Sequence, residues 1–243
     1  MHTDAFFLEV IMPKNKKPVC FSKPEIILWG SSVTVILLSF CAFDGENHLA
    51  LSASLVGVTG LVFNAKGNPL GQLLMVLFSL LYGAISLVFA YYGEMLTYLG
   101  MTLPMSILAF ISWLRNPHNG SRAEVRVNSI GRAESLLMWV ATAVVTALLY
   151  HPLRHLGTAN LVPSTLSVAT SFLAVYLTFR RDPRFALAYA ANDIVLIVLW
   201  VLASLSDARY ISVAVCFVAF LVNDIYCYLS WQGMRRRQAK GSG

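Results

Sequence analysis

Residues 166–204 read LSVATSFLAVYLTFRRDPRFALAYAANDIVLIVLWVLAS. Two apolar runs, 162–179 and 184–204, are split by Arg180-Arg181-Asp182-Pro183-Arg184, and each approaches the roughly 20 residues an α-helix needs to cross a bilayer. A proline after the acidic residue ends the first helix, and the arginines crowd the break between the two. The same pattern recurs outward along the chain, with apolar stretches at 25–43, 49–64, 70–92, 96–114, 135–151 and 209–231. That makes eight candidate spans, of which 49–64 is the shortest. No stretch alternates with the two-residue period of an outer-membrane strand, and backbone groups in lipid must bond internally, so the spans are helices.

Composition agrees. Hydrophobic residues make up 57% of the 243 and charged residues 12%, about half the charged share of a soluble globular domain. The net charge of +6 sits in short clusters between apolar runs and builds no continuous basic face, so nucleic acid is not an expected partner; the lipid bilayer is. There is no phosphate loop, no Gly-x-Ser-x-Gly elbow and no HExxH pair. Nor is there room for the soluble nucleotide-binding domain of a pump. The chain is expected to be a carrier or channel, not an enzyme, with no cofactor. Cys20, Cys41, Cys216 and Cys227 lack CxxC spacing and suit packing rather than disulfides or zinc. His151 and His155 flank Pro152 without a third ligand, so no metal site is expected. The lysine-bearing segment before 25–43 resembles a secretory signal, but Ser39 to Phe43 is a poor cleavage site, and a retained first span is expected. Gly241-Ser242-Gly243 reads as a cloning scar.

Orientation follows from the basic residues, which cytoplasmic loops retain. With the N-terminus inside, sixteen of the 18 Lys and Arg residues fall on the cytoplasmic side, and only Arg154 and Arg209 on the other. Asp44, Glu46, Glu94 and Asp207 fall in the outer loops. A repeat is also visible. LSASLVGVTGLVFNAKGNP at 51–69 matches LSVATSFLAVYLTFRRDP at 166–183, and both copies run on to an aromatic-rich end, Phe110-Ile111-Ser112-Trp113 and Tyr228-Leu229-Ser230-Trp231. An odd number of spans per copy inverts a direct fusion, and the span 135–151 restores the orientation. The expected fold is an all-α polytopic membrane protein with one N-terminal accessory helix and a 3+1+3 core of parallel repeats. Its parts are a cytoplasmic segment (1–24), the accessory helix (25–43), a first three-helix repeat (49–114), a cytoplasmic loop (115–134), a linker helix (135–151), a second repeat (162–231) and a basic cytoplasmic tail (232–243).

Ionisable residues within the hydrocarbon cost about 2.5–3.5 kcal/mol on insertion scales and mark candidate sites. Asn192-Asp193 and Asn223-Asp224 lie at matching depth on adjacent spans, about 12 Å from the cytoplasmic ends. They are placed to meet across a cavity, with Asn192 and Asn223 favoured as cavity-facing and the aspartates evenly divided, since neighbours on a helix point about 100° apart. The alternative is a polar tie between helices, worth about 0.6 kcal/mol. From the first repeat come Ser79, Tyr82 and Ser106, with Tyr98, Met101 and Met105 nearby; Trp113 and Trp200 add aromatic faces. Rings, amides and a carboxylate suit a flat, cationic, hydroxyl-bearing ligand. Met101 to Pro104 predicts a kink and a hinge.

Tyr91-Tyr92-Gly93-Glu94-Met95, Tyr98-Leu99-Gly100-Met101-Thr102, Ile111-Ser112-Trp113-Leu114-Arg115-Asn116-Pro117 and Glu124-Val125-Arg126-Val127-Asn128 resemble the PnuC family of bacterial nicotinamide riboside transporters. The resemblance covers the chain after the first helix. It implies a 3+1+3 core related to the SWEET sugar transporters, facilitated diffusion of nicotinamide riboside with alternating access and trapping by cytoplasmic phosphorylation, a homotrimer, and the bacterial inner membrane with both termini inside. Relatives carry thiamine or riboflavin on the same fold, and a proton-coupled carrier is a further alternative. Asn223-Asp224-Ile225-Tyr226-Cys227-Tyr228-Leu229-Ser230-Trp231 approximates the family's Asn-x-Tyr-Gly-Trp-Tyr-x-Trp pattern but lacks its first Trp, and the first copy keeps only Trp113.

Overall fold

The structure, a computed structural model, describes residues 21–88, 91–158 and 160–241, with backbone alone at 121 and 122. Most of the expected N-terminal cytoplasmic segment, including Lys14, Lys16, Lys17 and Cys20, lies outside the described residues, as do Ser242 and Gly243. Among the described residues, eight helical spans are long and apolar enough to cross a membrane. They are α1 (Lys23–Phe43), α2 (His48–Ala65), α3 (Pro69–Val88), a broken fourth span, α6 (Arg132–His155), α7 (Leu161–Phe179), α8 (Phe185–Ser204) and α9 (Ile211–Lys240). The fourth span comprises α4 (Tyr92–Met95), a π-helical segment (Leu96–Thr102) and α5 (Leu103–Arg115). A 3-10 turn at Ala208–Tyr210 leads into α9.

Burial is inverted relative to a soluble protein. Leu136, Leu137, Trp139 and Val140 of α6 face outward, whereas Gln72, Ser79, Ser106 and Ser167 are buried between helices. Lipid solvates the apolar exterior, and polar groups must find one another inside. Gln72 accordingly donates to the Asn64 side-chain oxygen at 2.8 Å.

The two turns that join the first and second helices of each triplet are copies. After α2, Gly67 takes the left-handed conformation (φ 63°); its N–H donates to the Asn64 carbonyl and that of Asn68 to Phe63. After α7, Arg181 does the same (φ 59°), with bonds to Thr178 and Leu177. This is the Schellman closure of a helix end. Asn68 then caps α3 by accepting from the Leu70 N–H at 2.9 Å, and Asp182 makes the matching bond in the turn before α8, accepting from the Arg184 N–H at 3.0 Å.

The triplets also close on each other reciprocally. Trp113 at the end of α5 donates its indole N–H to the Thr178 carbonyl at 2.9 Å, and Ser112 donates to Phe179 at 3.0 Å. Trp231 on α9 donates to Asn64 at 2.7 Å, and Ser230 to Ala65 at 2.7 Å. The last carbonyls of a helix have no partner within it. Each triplet's Ser-Trp pair gives the other triplet a serine donor for its last carbonyl and a second, indole donor for the carbonyl already held by the turn, which is the physical meaning of the repeated motif.

Several boundaries differ from the expected ones. The fourth span starts at Tyr92 rather than 96. Pro104 sits in the first turn of α5, and the irregularity it imposes is absorbed by the seven π-helical residues before it. α9 does not stop near 231; it runs through the expected tail to Lys240, where Gln238 donates to Glu124 at 2.8 Å and to the Val125 carbonyl at 3.0 Å. The loop it docks on holds an antiparallel pair, β1 (Pro117–His118) and β2 (Ser121–Val125), turned by Asn119 and Gly120 with φ of 48° and 70°. Positive φ at both central residues is the hairpin geometry that Asn-Gly favours.

α1 clasps the core. Glu25 pairs with Lys66 at 2.9 Å, Trp29 donates to Thr59 at 3.2 Å, and Ser32 accepts from the Asn223 amide at 2.8 Å. α6 packs chiefly on α7 and stands at the periphery.

Candidate functional site

At the end of the bundle away from the paired turns, a cavity of about 210 Å³ opens between α2, α3, α8 and α9. Its inner wall is aromatic: Tyr82 and Trp200 line it, with Tyr210 nearer the mouth. Ring centroids lie 4.5 Å apart for Tyr82 and Tyr98, 5.4 Å for Trp200 and Tyr210, and 6.3 Å edge-on for Tyr82 and Trp200. Tyr98 is delivered by the π-helical segment, which turns a bulky side chain into the core. The Tyr82 hydroxyl and the Trp200 indole N–H approach each other, but neither completes a hydrogen bond among the described residues.

The rim carries Asp44, Glu46, Asp207 and Arg209. Arg209 grips Asp207 through three side-chain contacts, at 2.6, 2.9 and 3.1 Å, and those bonds hold the Asp207 carboxyl below its usual range. Burial pushes the Asp44 carboxyl up, with Arg209 opposing it and Asp207 adding to it. With three carboxyl groups and one guanidinium, the mouth favours cations.

The polar pairs arrange themselves differently from the expected meeting of two asparagines. Asn192 turns toward α7, its side-chain oxygen accepting from Thr170 at 2.8 Å and Ser171 at 3.0 Å. Asn223 turns the other way, toward α1, and also donates to the Ala219 carbonyl at 2.8 Å. The aspartates are the residues that meet. Asp193 and Asp224 are buried and hydrogen-bond each other across α8 and α9. Helices that are apolar on all faces carry no amphipathic signal to set their rotation, so depth was readable and azimuth was not.

Of the other expected site residues, Tyr82 and Trp200 line the cavity. Ser79 is buried behind it and donates to its own helix at Met75, 2.8 Å. Ser106 and Met101 are buried in the fourth span. Trp113 is not a lining residue. It lies at the opposite end, its ring 5.3 Å from Trp231 and 6.3 Å from Phe185, while Trp231 and Phe185 are 4.8 Å apart. These three side chains fill the bundle between the paired turns.

Glu94 corrects the expected outer-loop placement. It is 1% exposed, and neither carboxyl oxygen has a hydrogen-bond partner among the described residues. The adjacent Gly93 lies against Ser164 and Thr158, which brings α4 close to the start of α7. Tyr98, Tyr210 and Ser167 also join the surroundings of the site. The signal for Glu94 was present in the sequence, since Tyr91-Tyr92-Gly93-Glu94 is a charge enclosed by aromatic residues rather than a polar loop.

Three comparisons bear on this arrangement. A family model described as nicotinamide mononucleotide transporter matches residues 47–233, which begins after α1. The nicotinamide riboside transporter PnuC of Neisseria mucosa is 28% identical over 202 residues, covering 81% of this chain and 76% of that protein. Its namesake in Haemophilus influenzae is 22% identical over 219 residues, covering 88% and 92%. A crystal structure described as the vitamin B3 transporter PnuC superposes with a TM-score of 0.79 at 23% identity, covering 96% of this chain and 98% of the other.

Proposed function

We propose a function on one premise: the chain belongs to the nicotinamide mononucleotide transporter family and is a PnuC-type multi-pass membrane protein. Its substrate is nicotinamide riboside, carried across the bacterial inner membrane by facilitated diffusion. The observation that supports this most is the cavity itself. An acidic mouth leads to a wall of tilted and edge-on aromatic rings, which suits a pyridinium ring on a ribose. Tyr82 and Trp200 hold the ring. Ser79, Ser106 and Met101 form the buried wall from the first triplet, and Asn192, Asn223, Asp193 and Asp224 set the positions of the helices beside it.

Alternating access fits the contrast between the two ends. One end is open through the cavity, and the other is filled by Trp113, Phe185 and Trp231. Parting of those three rings, with the π-helical segment as the hinge, would release substrate to the basic side, which the charge distribution assigns to the cytoplasm with both termini. Phosphorylation there traps the product. A homotrimer is the proposed assembly.

Counterflow of labelled nicotinamide riboside in proteoliposomes tests the reading. Saturable flux is expected; absence of saturable binding together with tight thiamine binding would move the substrate to another vitamin. Absence of any flux would leave a structural or signalling membrane protein. If Asn192→Ala and Asn223→Ala both leave affinity unchanged in folded protein, neither amide belongs in the site.

One observation favours a proton-coupled carrier as a second reading. Asp193 and Asp224 are two carboxyl groups buried side by side on α8 and α9, and intramembrane carboxyl pairs are the usual carriers of a proton relay. Uptake indifferent to a collapsed pH gradient would exclude coupling.

A further inference from the structure

The aromatic cavity accounts for the holding of a flat ligand, but not for the enclosed carboxyl group of Glu94, which lies behind its lining, on the span that carries Tyr98. Glu94 is 1% exposed with both oxygens unpartnered, in a span otherwise fit to cross a membrane. The Ser167 hydroxyl on α7 reaches toward it without closing a well-formed bond. No lysine, arginine or histidine among the described residues acts on it. An isolated carboxylate in so dry a setting is among the costliest arrangements a membrane protein can keep. Where an ion pair serves structure, as Glu25 does with Lys66 at 2.9 Å, the partner is present in the chain; here it is missing.

What surrounds Glu94 indicates the chemistry of the absent partner. It lies about one helical turn before Tyr98 in the fourth span, and the Tyr98 ring packs against that of Tyr82, tilted, with centroids 4.5 Å apart. Tyr82 continues to Trp200 and the cavity. A compact ammonium needs a ring of acceptors to replace its water, and the neighbourhood offers one carboxyl and a serine hydroxyl. A delocalised ring cation needs less: an aromatic face and a single counter-charge. Resting on the transport reading above, we propose that Glu94 is the counter-ion that admits a positively charged heterocycle to this site and discriminates against neutral rings of the same shape. Pyridinium and thiazolium rings fall within that class, and the neutral isoalloxazine of riboflavin falls outside it.

The experiment compares nicotinamide riboside with its reduced dihydro form, which keeps the ribose and carboxamide but loses the ring charge. Binding is followed by quenching of tryptophan fluorescence on purified full-length protein. The wild type should prefer the cation by about tenfold or more, Glu94→Gln should lose that preference with little change toward the neutral ring, and Glu94→Asp should restore part of it. Equal affinity of the wild type for both forms overturns the proposal without any variant, and so does an undiminished preference in Glu94→Gln. If the wild type ignores nicotinamide riboside but binds thiamine in a Glu94-dependent way, the substrate assignment falls and the counter-ion stands. Binding of neither cation overturns both.

Discussion

The turn at residues 64–69 and the turn at 178–183 make the same backbone hydrogen bonds, yet one places Gly67 in the left-handed position and the other Arg181. The reason lies in their surroundings. A Cβ on Gly67 would stand 3.0 Å from Met234 and 3.2 Å from Val125. Arg181 has room, and its side chain offsets the backbone cost by donating to Ser112 at 2.7 Å and to the Arg126 carbonyl at 3.2 Å. The capping residues differ for a similar reason. Asn68 faces the Ala123 carbonyl and donates to it at 3.3 Å, whereas Asp182 faces the Ile130 N–H and accepts at 2.9 Å. A duplicated scaffold has kept its geometry and let each side chain follow its local donor or acceptor.

The severest way to break the equivalence is at the aromatic centre. Trp231→Ala should cost about 3–5 kcal/mol of stability, and more than Trp113→Ala, because Trp231 contacts both Phe185 and Trp113 closely. Thermal unfolding in detergent gives the order, and a reversed order would mean the two halves are not joined as described. Next comes Asn68→Asp, which sets an acceptor against the Ala123 carbonyl and should cost about 1–3 kcal/mol. Gly67→Ala should cost about 1–2 kcal/mol for its left-handed backbone, while Arg181→Gly should change stability by less than about 1 kcal/mol, strain relieved offsetting bonds lost. Ser230→Ala should cost about 1 kcal/mol.

The smallest effect is a pH dependence confined to the second turn. Burial alone would raise the Asp182 carboxyl, but hydrogen bonds from the Arg184 side chain and backbone and from the Ile130 N–H hold it below its usual range. A depressed carboxyl contributes stability above its unfolded value, about 3.9, and loses it as the pH falls through the folded value. Unfolding temperatures measured from pH 6 downward should therefore fall less steeply in Asp182→Asn than in the wild type. Identical slopes would place the acid sensitivity elsewhere.

Much of this was legible in the sequence, because hydropathy and length locate spans and a repeated Asn/Asp-Pro turn with a repeated Ser-Trp end betrays the duplication. The carbonyls those tryptophans cap were not legible, since the contacts join residues 65 and 167 positions apart. The hairpin is legible in Asn119-Gly120. Within the site, Tyr82 and Trp200 were found from depth and residue type. Glu94 was misplaced because a charge near a span end resembles a loop residue when the neighbouring helix that buries it is out of view. The directions of Asn192 and Asn223 depend on helix rotation, which uniformly apolar helices do not record.

The reciprocal closure also sets an order of events for biosynthesis. The carbonyls of Asn64 and Ala65 are made early, while Trp231 and Ser230, which donate to them, leave the ribosome 167 and 165 residues later. Until α9 is made, the Schellman turn alone closes this helix end, with the Asn64 carbonyl holding only its local bond from Gly67 and the Ala65 carbonyl lacking the Ser230 hydroxyl. A nascent chain that stops before α9 thus keeps the shape of the turn but not the tie between the two triplets.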